Sequence, residues 1–278
     1  MSKRKPVRFV AVISDLHPGS RMSVMPREGL DLDDGTHVTP TPLQLKICDM
    51  WDEYRRWIDH ETGGEPIAFV HNGDALEGAH HDTVSTWSNS RVDQARAAET
   101  LLRPWAERSG GRFWMTRGTP AHVGQSGQDE ELLGKILGSV PNEQGQHVPW
   151  QIWMRLGAYL IHFAHEIATS TSPFAKSSAL QREIALSHLN SGRWGDEPPD
   201  MIVRSHKHES SEVSEPTRKG RCRCYVTPAW QALTPFMHRR PRGGAQPEIG
   251  GALIVAGDNG IYVKDRIWRL ERPKEVVV

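Results

Sequence analysis

The chain has 278 residues, enough for one large α/β domain or at most two small ones. Lysine plus arginine and aspartate plus glutamate each total 34, so no global charge draws it to nucleic acid or to a membrane surface, and an anionic substrate must be held by local charge or by metals. Hydrophobic residues make up 37%, and no apolar stretch approaches membrane-spanning length, which excludes an integral membrane helix.

The basic start, residues 1–6, is expected to be flexible, and the apolar run after it is too short and lacks the cleavage pattern of a signal peptide. Val7 to Ile13 reads as a strand buried on both faces and ends at Ser14-Asp15-Leu16-His17. A long loop, Pro18 to Thr41, precedes an amphipathic helix over Pro42 to His60, whose core face is Leu45, Cys48, Met50, Trp51, Tyr54 and Ile58. Pro66 to His71 repeats the buried-strand pattern and ends at Asn72-Gly73-Asp74. A helix over Ser90 to Arg108 leads to a third strand, Arg112 to Thr116, which runs into Arg117-Gly118-Thr119-Pro120. Further helices are expected over Asp129 to Leu137 and Ser177 to Leu189. Strands Tyr159 to Ala164 and Met201 to Arg204 end at His165 and at Ser205-His206-Lys207-His208.

The tail differs. Cys222 to Val226, Gly251 to Ala256 and Ile261 to Leu270 read as strands joined by turns such as Asp258-Asn259-Gly260, with a second long loop over Thr234 to Gly250. Neither an internal repeat nor a linker is visible, so residues 1–278 are expected to form a single α/β domain. Three cysteines, an odd number in a large domain, fit a reducing, cytoplasmic interior. Cys222 and Cys224 share one strand face, and without two further ligands beside them ordinary packing is the reading.

Five strand ends thus carry the metal-ligating residue types. In open α/β sheets that edge is where ligands bind. On extended backbone, residues i and i+2 point the same way, so Asp15 can share a cation with His17, and His206 with His208. Carboxylate and imidazole together suit manganese, iron, zinc, cobalt or nickel better than magnesium. His162 falls mid-strand and reads as a core histidine, and His71 as packed within its strand. His80 and His81 are either outer ligands or a polar loop. His37, His60, His147, His188 and His238 carry no site argument.

Asp15-x-His17, Gly73-Asp74, an element at Gly118 to His122, a lone strand-end histidine and a terminal Ser-His-x-His occur in an order that resembles the calcineurin-like metallophosphoesterases, from about Val7 to Val226. Val70 to Gly78 and Arg117 to Gly124 are similar to phage and prophage members of that superfamily. The resemblance implies a four-layer α/β/β/α sandwich with two mixed β-sheets and two divalent cations, manganese first. It implies that Asp15, His17 and His208 hold one metal, that Asp74 bridges, and that His165 and His206 hold the other. The family's Asn-His element is altered here: Thr119-Pro120-Ala121-His122 has no asparagine. His122 is either the acid that protonates the leaving group or a substitute ligand.

Two cations about 3.5–4 Å apart acidify a shared water and clamp phosphoryl oxygens, so no nucleophilic side chain is needed. Neither a Gly-x-Ser-x-Gly string nor a P-loop is present. Arg218, Lys219, Arg221 and Arg223, with Arg239, Arg240 and Arg242, form either a surface for a nucleic-acid backbone or a solvated loop. Trp230 and Phe236 either stack a base or cover the sheet edge. The expected activity is a phosphodiesterase or nuclease acting on nucleotides or DNA. A phosphomonoesterase, or a metal-binding module that has lost catalysis, are the alternatives.

Overall fold

The computed structural model describes residues 6–79, 85–124, 126–168, 176–238 and 247–271. In chain order these form β1 (Phe9–Ile13), β2 (Leu30–Asp31), β3 (His37–Val38), α1 (Pro42–Thr62), β4 (Ala68–Asn72), α2 (Arg91–Arg108), β5 (Phe113–Thr116), α3 (Pro120–Val123) and α4 (Gln128–Leu137). The second half contains β6 (Gln151–Leu156), β7 (Tyr159–Ala164), α5 (Lys176–Trp194), β8 (Met201–Arg204), β9 (Ser211–Thr217), β10 (Gly220–Val226), α6 (Pro235–His238), β11 (Ile249–Gly257) and β12 (Gly260–Trp268).

Two five-stranded sheets stack face to face, in the orders β12-β11-β1-β4-β5 and β6-β7-β8-β10-β9. Both are mixed. β1, β4 and β5 run parallel with β11 antiparallel beside β1; β7, β8 and β10 run parallel between antiparallel β6 and β9. Side-chain alternation then divides each strand between two cores. Val10, Val12, Val70 and Ile254 of the first sheet meet Ile161, Phe163, Met201 and Val203 of the second. Ala11, Ile13, Phe69 and Phe113 face outward, where α1 and α2 cover them. On the other side α5 lays Ala179, Leu180 and Ile184 over Ile202, Cys222 and Cys224. The layers are therefore α/β/β/α, and burial on both faces is why the strands read as unbroken apolar runs.

Local chemistry agrees with this arrangement. Thr41 and Gln44 form a capping box at the start of α1, with Pro42 in the first turn and left-handed Gly63 closing the helix. The α1 face buries Ile47, Cys48, Trp51, Tyr54 and Ile58, at helical spacing. Tyr54 sends its hydroxyl to the carbonyls of Val12 and Ala252, pinning the helix to β1 and β11.

Several expectations need correction. β6 and β9 were not anticipated. β6 buries only Ile152, Met154 and Leu156 on one face, and β9 is a polar edge strand, Ser211 to Thr217, with Pro216 near its end. The loop over residues 18–41 is packed early, with Ser20, Ser23, Val24 and Met25 buried, and holds the β2–β3 ribbon. His162, by contrast, is the buried and satisfied histidine it was read as: it stacks on Trp153 at 4.2 Å and bonds Gln151. His80, His81, Arg239, Arg240 and Arg242 lie outside the described residues.

Candidate metal centre

The parallel strands of both sheets end at one edge, and the candidate ligands sit just beyond. Among the described residues, the non-glycine positions with positive φ are Asp15 (52°), His17 (48°), Asp74 (56°), His206 (72°) and His208 (55°). All five are candidate ligands. Left-handed backbone disfavours residues with a Cβ and persists only where the surroundings enforce it. This also corrects the reason Asp15 and His17, or His206 and His208, act together. Left-handed turns after the strand aim both side chains inward; extended alternation does not.

The polar atoms converge tightly. Asp15 Oδ1 lies 3.2 Å from His208 Nε2 and 3.7 Å from His17 Nε2, and those two nitrogens are 3.3 Å apart. Asp74 Oδ2 stands 3.0 Å from His165 Nε2 and 4.0 Å from His17 Nε2 and from His122 Nε2. Among the described residues three groups could each hold a cation: Asp15 with His17 and His208, Asp74 with His165 and His206, and His17 with Asp74 and His122. Donors bound at ~2.0–2.2 Å to one ion stand about 3–4 Å from each other, so the spacing fits. Asp15 Oδ1 and His165 Nε2 are buried and have no hydrogen-bond partner, the state expected of atoms aimed at a cation.

A layer of bonded groups orients these ligands. His165 Nδ1 donates to the carbonyl of Asn72 at 2.7 Å, which directs Nε2 at Asp74. His122 Nδ1 likewise donates to the carbonyl of Glu77 at 2.7 Å. The Glu77 carboxylate accepts from Gln231 and lies 3.3 Å from His17 Nδ1, an ion-pair contact without hydrogen-bond alignment. Beneath the ligands a buried chain runs Thr116–Asn72–Ser205–Thr227–Ser14–Asp15 and ties the two sheets together. Ser205 is therefore a working member of that chain.

The altered loop is fitted around Asp74. Thr119 donates its backbone N–H to Asp74 Oδ1 at 2.7 Å and brings its hydroxyl within 3.2 Å of both carboxylate oxygens. A Cβ on Gly118 would stand 2.1 Å from Asp74 Oδ1, and one on Gly73 2.4 Å from His165 Nδ1, so both positions require glycine. His122 packs against His17, with ring centroids 4.3 Å apart, and groups with His17 and Asp74, whereas His165 and His206 form a group with Asp74 of their own.

Charge is strongly coupled here. Burial works to raise the Asp15 and Asp74 carboxyls, but facing imidazoles outweigh it and hold both well below their ordinary value: His165 and His208 for Asp15, His165 and His122 for Asp74. Burial works to lower His17 and His165, yet the carboxylates reverse it and raise each to about 10; Asp15 and Glu77 act on His17, Asp74 and Asp15 on His165. Burial and the charge on His165 lower His206. In the cation-free chain, protons on imidazoles supply the positive charge that two anions demand.

Sequence reasoning missed Glu77, Thr119, Glu130 and the hydroxyl chain. Glu77 is signalled by its place three residues after Asp74; Glu130, on α4, has no such signal. Burial and the charge of Asp74 push the Glu130 carboxyl up to about 7. His71 is fully buried with neither ring nitrogen hydrogen-bonded, and burial takes it down to about 3.

The basic cluster is not at this edge. Arg218, Lys219, Arg221 and Arg223 lie at or near the N-terminal end of β10, whereas the site lies beyond its C-terminal end. Lys219 pairs with Glu197 and Asp200, and Arg223 with Glu212. Trp230 is fully buried against Trp51 and Tyr54, so it covers the sheet and stacks no base.

No family model matches the sequence, and no curated protein matches it. Similar solved structures include a Vps29 variant from Entamoeba histolytica, at 11% identity and TM-score 0.36, covering 94% of this chain and 99% of that one. An uncharacterized Streptococcus pneumoniae protein, described as a predicted phosphoesterase, is 13% identical with TM-score 0.34 over 94% and 98%. The sulfate thiohydrolase SoxB from Thermus thermophilus is 14% identical with TM-score 0.41, over 96% of this chain and 57% of that one. The mixed α/β sandwich and the site both stand on this chain's own geometry.

Proposed function

We propose that the chain is a metal-dependent phosphoesterase with two divalent cations at the strand-end edge, manganese first. The observation that carries it is the coincidence of left-handed, non-glycine backbone with the five residues Asp15, His17, Asp74, His206 and His208. Asp15, His17 and His208 would hold one cation, His165 and His206 the other, and Asp74 would be shared. Bound there, the cations would supply Lewis acidity toward phosphoryl oxygens and a water acidic enough to attack near neutral pH. The chain's own side chains position phosphate and move protons. His122 is the proton donor to the leaving group: Nδ1 is anchored on the Glu77 carbonyl, and its side chain is 17% exposed where His17 and His165 are sealed.

For the substrate we favour a phosphodiester of a nucleotide or DNA. The support is the likeness of Val70 to Gly78 and Arg117 to Gly124 to phage-type sequences; Lys219 and Arg223 lend none, being paired with carboxylates away from the site edge. Three free, buried cysteines support a reducing, cytoplasmic setting, and no helix of the described residues is long and apolar enough to cross a membrane. The test is hydrolysis of bis-p-nitrophenyl phosphate and p-nitrophenyl phosphate by metal-stripped protein given Mn2+. Turnover of the diester is expected, and preference for the monoester removes the nuclease reading. No turnover with any divalent ion sinks the enzyme reading. Changing His122→Ala should slow esters with poor leaving groups by about 10²–10⁴-fold and activated ones far less.

A further inference from the structure

Glu130 stands in the first turn of α4, far in sequence from the candidate ligands, and is wholly buried. Its two oxygens reach two different loops. Oε1 accepts the Ala75 N–H and Oε2 the Gly118 N–H, each at 2.8 Å. Ala75 follows Asp74 directly. Gly118 precedes Thr119, whose N–H and hydroxyl grip the Asp74 carboxylate. The ladder between β4 and β5 stops at Asn72 and Thr116, and beyond it side chains join the two strand ends.

We propose that Glu130 is a positioning residue for the metal centre: by spanning both loops with one carboxylate it sets their separation and the orientation of Asp74. The inference rests on the metal-centre reading above. The chemistry requires a carboxylate, because two converging N–H donors need a group with acceptors on both atoms. A glutamine offers one acceptor and one donor, so one N–H would face another. The neighbouring residue is an internal control. Glu131 uses the same device on the His147 and Val148 N–H groups, at 3.0 and 2.9 Å, and those belong to the segment before β6 rather than to a ligand loop.

The experiment is Mn2+ titration of the metal-stripped full chain by calorimetry, alongside thermal melting, for wild type, Glu130→Gln, Glu130→Asp and Glu131→Gln. Both glutamine variants should lose thermal stability, since each strands a buried N–H. Only Glu130→Gln should lose Mn2+ affinity, by about 10–100-fold, the range for groups that orient ligands. Wild-type affinity in folded Glu130→Gln, or an equal loss in Glu131→Gln, overturns the assignment. Should Glu130→Gln fail to fold, Glu130→Asp decides: its shorter side chain reaches only one loop, so weakened binding supports the assignment and wild-type binding overturns it. A wild-type chain that binds no divalent cation overturns the metal-centre reading, and this inference with it.

Discussion

Between the two sheets Val10, Val12 and Val70 pack against Ile161, Phe163 and Val203 on regular extended strands. A few residues further along these same strands, the chain turns left-handed at Asp15 and Asp74 and aims buried polar atoms at one point; Asp15 Oδ1 and His165 Nε2 have no hydrogen-bond partner there. The first region follows the rules that stabilise a fold: apolar burial and paired backbone. The second violates them, with strained φ and crowded like and unlike charges. Such violations persist where a site needs them and the surroundings over-determine them. The hydroxyl chain from Thr116 to Ser14 is the boundary between the two regions, hydrogen-bonded throughout.

The contrast can be broken from either side. The largest expected effect lies in the interior. Replacing fully buried Phe163 by alanine should cost about 3–5 kcal/mol of unfolding free energy in denaturant titration, with cation affinity of the folded fraction unchanged. At the edge the pattern reverses. Asp74→Asn keeps an acceptor for the Thr119 N–H but removes the anion shared by two ligand groups. Cation affinity and hydrolysis should fall at least the ~10²–10³-fold that one preorganised electrostatic group is worth, a loss of binding that Phe163→Ala does not show.

Protons give a third, smaller effect. His17 and His165 sit above their ordinary value in the cation-free chain, so their contribution to its stability is complete below the unfolded imidazole range and is lost as pH rises through about 10. Asp15 and Asp74 are depressed, so theirs is present above the ordinary carboxylate range and lost as pH falls through the lowered values. Cation binding runs opposite to the histidine contribution, because ligation needs neutral imidazoles. Affinity should therefore rise with pH across neutrality, by about tenfold per pH unit for each proton displaced. Calorimetry in two buffers of different ionisation enthalpy measures that proton release; a release of zero contradicts the charge pattern described. The smallest effect tests the strain itself. His208→Gly should raise the stability of the cation-free chain by about 1 kcal/mol, because glycine adopts φ 55° freely, while weakening cation binding.

Much of this edge was legible because buried parallel strands write long apolar runs, and the one to three residues after each run are presented at the edge. Asp15, Asp74, His165 and His206 are found that way, and β7 and β8 keep the bounds read for them. β6 and β9 were not legible for the opposite reason: edge strands bury one face or little, and their composition is that of loops. Backbone handedness at Asp15 and His17 has no sequence mark, since it is imposed by hydrogen bonds to the carbonyls of Gly73 and Asp74 from another strand end. Glu130 escaped because its partners are backbone N–H groups 55 and 12 residues away, with no side-chain identity to betray them. The fate of His122 was open in sequence for a similar reason: only the fold shows it beside His17.

The most direct test of a paired cation centre is the number of Mn2+ ions bound per chain, measured by elemental analysis after stripping, reloading and desalting. Two ions in wild type, falling to one or none in Asp74→Asn, is the result expected from a carboxylate shared between two ligand groups. No bound ion in wild type, or a stoichiometry that Asp74→Asn leaves unchanged, would contradict it.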